Sequence, residues 1–293
     1  MKTENYFRGM IMIILSAFFF ACMGVCVRLA GDIPSIQKSF FRNLVAAAFA
    51  ASILFKKHIP LTIKKECRIP LLARCAFGTL GILCNFYAVD HLLVADASIL
   101  NKLSPFFAIL FSFLLLKEKL TIWQGGFVSL AFIGCLFIVK PGLANANLVP
   151  ALIGVCGGLG AGIAYTMVRK LGSLGMKGPV IVFYFSFFSC LFVAPWILFR
   201  FSPMTLKQTV ILLMAGLFAA GGQFSVTAAY TYAPARKISI YDYSQIIFST
   251  ILGFLLFGEI PDQYSFLGYG LIIFASFLMF LYNRRQDRIQ EAS

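Results

Sequence analysis

Ionisable side chains set inside long apolar runs are where this sequence can do chemistry. Lys102, beside Asn101, interrupts the apolar run 94–116, and Ser104-Pro105 follows within a turn. A charge in hydrocarbon is costly and normally faces the bundle interior, water or a partner. Lys102 lies about 8 residues, or roughly 12 Å, below the outer end of its run. That is too deep for an easy escape to the interface. An ammonium there suits a carboxylate or phosphate in a cavity, or else a structural carbonyl or carboxylate. Later in the chain Tyr241, Asp242, Tyr243 and Gln245 form a polar cluster. Asp242 is about one turn from the end of its run, so it is either interfacial or a site for substrate or proton coupling. Arg42 is a second cation candidate, with snorkelling as its alternative. Arg74 is expected to be a plain snorkelling anchor near the inner surface. Asn85, Tyr87, Tyr165, Gln223, Thr227 and Tyr230 complete the candidate lining.

Other chemistries find little support. The eight cysteines fall mostly in apolar segments, where Cys packs as a small hydrophobe. Cys22 and Cys26 are one turn apart, yet no His or acid stands near them. His58 and His91 are the only histidines, and both lie near expected membrane surfaces. No metal site, disulfide framework, catalytic residue or cofactor is expected. No phosphate-binding loop, redox motif or catalytic triad is visible.

The elements holding these residues follow from composition. Of 293 residues, 60% are hydrophobic and 12% charged, with a mean hydropathy of +0.88. A soluble domain cannot cover its surface with so few charges. The chain reads as an all-α polytopic membrane protein embedded in a lipid bilayer. Ten spans are expected, at 9–28, 36–55, 69–89, 94–116, 122–139, 149–169, 179–199, 208–231, 238–257 and 263–282, each near the length a bilayer requires. Prolines mark most boundaries; Pro105 stands inside the fourth span, and Pro195 near the end of the seventh. The run 9–27 is too long for a signal-peptide core and is expected to be the first span.

The net charge of +14 fits cytoplasmic loops better than nucleic acid, which is not an expected partner. One alternate set of segments carries Lys2 and Arg8, the cluster Lys56, Lys57, Lys64, Lys65 and Arg68, then Lys117, Lys119, Arg169, Lys170, Lys177, Arg236, Lys237, Arg284, Arg285 and Arg288. The other set has only Arg28, Lys38, Lys140, Arg200 and Lys207. The positive-inside rule then predicts both termini in the cytoplasm, in a cell (plasma or inner) membrane.

The chain also repeats itself at an offset of 141. Val27-Arg28 falls on Val168-Arg169, Gly81 on Gly222, Ser98-Ile99 on Ser239-Ile240, and Glu118 on Glu259. Five helices per half is an odd number, so the halves must enter from opposite sides. Inverted repeats of this kind build secondary transporters, with the site between the halves. Gly154, Gly158 and Gly162 form a small-residue stripe in the sixth span, and Ala17 and Ala21 match the last two in the first. This is a packing surface, or a sliding one.

Two five-helix halves, each with a fourth helix ending in a leucine-rich run and an acidic residue, resemble the EamA family of the drug/metabolite transporter superfamily. The segment Ala95-Asp96-Ala97-Ser98 through Ser104-Pro105 to Lys117-Glu118-Lys119-Leu120 carries the likeness best. The second half departs from it, with Ile246 where Pro105 stands in the first. The resemblance implies repeats at 9–140 and 149–282, followed by a cytoplasmic tail at 283–293. It implies secondary transport of a small-molecule metabolite, with a coupling proton or other ion as a further partner. Lys102 and Arg42 point to an amino acid or another compound bearing a carboxylate or phosphate. The rival readings are an intramembrane enzyme, which lacks a convergent set of reactive groups, and a scaffold, which needs no polar midplane.

Overall fold

The computed structural model describes residues 3–116, 121–139, 147–232 and 239–292, with Thr227 and Tyr230 among several residues described by backbone alone. The basic segments 117–120 and 233–238 lie outside the described residues. Among the described residues there are helices and no strand. They are α1 (Thr3–Leu29), α2 (Ser35–Lys56), α3 (Arg68–His91), α4 (Val94–Asn101), α5 (Ser104–Leu116) and α6 (Ile122–Val139). The second half contributes α7 (Leu148–Ser173), α8 (Gly178–Arg200), α9 (Leu206–Tyr232), a short 3₁₀ turn (Ser239–Tyr243), α10 (Ser244–Phe257) and α11 (Gln263–Ala292).

Eight of these helices are long and apolar enough to cross a membrane: α1, α2, α3, α6, α7, α8, α9 and α11. The protein therefore threads the bilayer many times. Its outer surface fits that solvent. Phe199, Leu198, Leu206, Ile69 and Phe55 project outward, a distribution suited to lipid and hazardous in water. The segment 283–292, expected as a tail, continues α11 without a break.

The fourth span differs most from the sequence expectation. In place of one helix over 94–116 there are two, α4 and α5, separated at Lys102-Leu103. Pro105 supplies the reason, since it offers no N–H to the carbonyl of Asn101. The ladder tightens into i→i+3 steps, with Leu103 N donating to Leu100 O and Phe106 N to Leu103 O. The second half breaks at the matching place without a proline, through the 3₁₀ turn ahead of α10.

Helix pairing respects the repeat. The most extensive contacts join α1 to α9 and α3 to α7, a pair of interfaces exchanged when the halves are exchanged. The pairs α2–α8, α6–α11 and α4–α10 are each their own counterpart. Such reciprocal pairing is what a two-fold relation between two halves produces. The stripe of α7 serves the break. A Cβ on Gly158 would lie 2.7 Å from Leu100 O, and one on Gly162 would lie 2.9 Å from Ser104 O and 2.5 Å from Phe107 Cβ. Only a glycine surface lets α7 come this close to the interrupted backbone.

Candidate functional site

The two helix breaks meet. Lys102 Nζ donates to Asp242 Oδ2 at 2.5 Å. Tyr243 Oη donates to Lys102 O at 3.1 Å, a carbonyl freed because Phe106 N turns to Leu103 instead. Lys102 and Tyr243 are counterparts under the 141-residue offset, so the contact joins a position to its own repeat. One turn away Ser98 Oγ and Ser249 Oγ hydrogen-bond at 2.8 Å. Lys102 is only 6% exposed. Asp242 is largely buried as well, its side chain 17% exposed against 7% for that of Lys102.

A second polar group borders the first. Arg42 on α2 and Arg74 on α3 are electrostatic neighbours of each other and of Tyr165 on α7. Tyr165 in turn senses Asp242, which links the two groups. Tyr165 is 42% exposed although buried charges surround it. Its ring thus keeps an open edge beside the two buried arginines. Arg74 is not the surface anchor expected from its place in the sequence. It is 4% exposed, and its guanidinium stacks on Phe185 at 3.8 Å from the ring centroid. Counting residues from the helix end measures depth along the axis; Arg74 is buried because its side of α3 faces α8.

The other candidates are dispersed. Tyr87 stacks on His91 at 4.0 Å and lines a cleft of about 540 Å³ with Arg28, Asp32, Ser35 and Asp90. That cleft lies at the far end of α3, away from Lys102. Asn101 and Asn85 are half-buried, on α4 and α3, and Gln223 is half-buried on α9. The Thr227 side chain lies outside the described residues. Lys38, counted among loop charges in the sequence, is instead fully buried in α2 and paired with Asp90 at 2.5 Å. No metal-binding cluster occurs among the described residues.

Sequence reasoning missed a third construction. Gly258 adopts φ +67° and turns the chain after α10. Glu259 thereby reaches back across the bundle. Its Oε2 accepts from Val94 N at 2.8 Å, at the start of α4, and its Oε1 pairs with Arg28 at 3.0 Å. Arg28 also donates to Val89 O and Leu92 O. The acidic residue closing the leucine-rich run was the available signal; its partners are far away in sequence.

Known proteins resemble this chain along nearly its whole length. The model of the EamA-like transporter family matches residues 7–140 and again 148–281. The pseudopaline exporter CntI of Pseudomonas aeruginosa is 31% identical over 269 residues, covering 91% of this chain and 94% of that protein. Solute carrier family 35 member G1 of Homo sapiens is 25% identical, covering 92% of this chain and 77% of its own length. A riboflavin transporter of Brucella anthropi is 26% identical, covering 92% and 95%. One crystal structure, 14% identical, shares the fold with a TM-score of 0.67 over 94% of this chain and 98% of that one. Matched twice along its length and related throughout to carriers of small molecules, the chain belongs to the EamA-like transporter family and is a multi-pass membrane transporter, not an enzyme.

Proposed function

We propose that the protein is a secondary transporter working by alternating access. It has ten spans arranged as two inverted five-helix repeats, 9–140 and 149–282, with both termini in the cytoplasm of a cell membrane. The α4–α5 pair is the fourth span, and the 3₁₀ turn with α10 is the ninth. The substrate is a small polar metabolite bearing a carboxylate or phosphate, an amino acid or related compound. The supporting observation is the Lys102–Asp242 pair between two broken helices, since interrupted helices at a repeat interface are where such folds place substrate and ion.

The pair suggests a coupling scheme. An anionic substrate competes with Asp242 for the Lys102 ammonium. The carboxylate so released takes up a proton, which returns when the substrate leaves. Asn101 and Tyr243 line the same position. Asn85, Gln223 and Thr227 extend the pathway, and Tyr87 belongs to its mouth.

Transport of a screened substrate into proteoliposomes tests this. Lys102→Met removes a charge-assisted contact of roughly 1.5–3 kcal/mol, so apparent affinity falls about tenfold or more. Asp242→Asn abolishes dependence on a proton gradient while leaving substrate exchange. Lys102→Met and Asp242→Asn each leave one buried charge unpaired and lower the melting temperature; the double variant recovers much of it. Unchanged affinity and rate in Lys102→Met would sink the reading of Lys102 as the substrate cation.

A further inference from the structure

Arg42 and Arg74 have no acidic partner among the described residues, although each is at least nine-tenths buried. Arg42 Nη1 donates to Asn43 Oδ1 at 2.5 Å. The Nε atoms of both Arg42 and Arg74 have no hydrogen-bond partner. Both guanidinium groups lie over the Phe185 ring, at 6.0 and 3.8 Å from its centroid. The site is shaped for Arg74 in particular. A Cβ on Gly78 would lie 2.0 Å from Arg74 Nη1 and 2.7 Å from the Phe185 ring, so only glycine leaves the hollow that the guanidinium occupies.

An aromatic face attracts a cation, but it does not neutralise two of them. Like charges at close range in low dielectric repel strongly. A guanidinium carries five donors, and the Nε donor of each is left without a partner here. Lys102 is already neutralised by Asp242. The uncompensated charge of the core therefore resides on Arg42 and Arg74, beside the open edge of Tyr165.

We propose that Arg42 and Arg74, with Tyr165 at the open side, form a binding subsite for a doubly charged anion. The class is a compound with two carboxylates or one phosphate monoester, gripped by planar donor forks. Phe185 holds the two forks in place when the site is empty. This rests on the transporter reading above and names the substrate charge that it leaves open.

The test uses the full-length protein in nanodiscs, with glutarate, its neutral diamide and inorganic phosphate as probes. Wild type should gain roughly 5 °C in melting temperature with glutarate or phosphate at about a hundred times Kd, and nothing with the diamide. Arg42→Met and Arg74→Met should each lose that gain. Without ligand they should melt at or above wild type, because an unpaired buried charge has been removed. Arg42→Lys should keep part of the gain. A Met variant that melts well below wild type yet keeps its response to glutarate overturns the proposal and makes the arginines structural. A wild type that responds to neither anion overturns it as well. Flux separates this from the parent reading. Transport of a neutral solute that is indifferent to Arg42→Met leaves the transporter standing and removes the subsite. Arginine-dependent binding with no flux of any probe keeps the subsite and removes the transporter.

Discussion

At the scale of single residues, the repeat and the site are complementary. Under the 141-residue offset Arg42 faces Phe183, Arg74 faces Ala215, Asn101 faces Asp242 and Lys102 faces Tyr243. Chemistry is thus concentrated where the two halves differ, on a scaffold where they agree. Tyr243 shows how a difference is used. Its hydroxyl closes the carbonyl of the residue it replaces in the other half. Tyr243→Phe leaves that carbonyl buried and unsatisfied, a loss of about 1–3 kcal/mol. Differential scanning calorimetry should show a lower unfolding temperature, and transport should slow. A midpoint and rate equal to wild type would show that Tyr243 does not hold the break.

At the scale of elements, the decisive feature is α7 lying on the break between α4 and α5. Gly162→Val should separate them, since even one added carbon meets Phe107 Cβ at 2.5 Å. Overpacking of this kind costs about 1–3 kcal/mol. Reduced yield of folded protein on size exclusion, with Gly172→Val unaffected, is the expected outcome; nothing lies within 4 Å of a Cβ at Gly172. Part of this was legible in the sequence. Pro105 announced a fault in the fourth span, and the glycine stripe announced a close helix. The break before α10 was not legible, because no proline or glycine marks 239–243 and a 3₁₀ turn leaves no compositional trace. The Lys102–Asp242 pair was hidden too. Depth was counted along each span from its own end, which does not say how one span lies against another. Arg74 was misplaced for a related reason: periodicity gives position along a helix but not which neighbour will cover that side.

At the scale of the whole molecule, topology and gating can be checked. Cysteine labelling in spheroplasts should find the 56–68 loop and Asn283 inside, and the segments around Asn145 and Asp262 outside. Finding Asn145 and Asn283 on one side would exclude the inverted arrangement. The Arg28–Glu259 bridge ties the ends of α1, α3 and α4 to the end of α10. Glu259→Gln should weaken that tie and shift the population toward a form open at this end, read as faster alkylation of a cysteine placed at Ser35.

The hydrogen bond from Tyr243 to Lys102 has a mechanical meaning. The two residues it joins are counterparts under the 141-residue offset, so a two-fold axis relating the halves would pass between them. The bond itself has no twin: that would need position 102 to donate to the Tyr243 carbonyl, and Lys102 donates to Asp242 instead. On the alternating-access reading proposed above, it is a pin near the hinge line, fastened from one side alone.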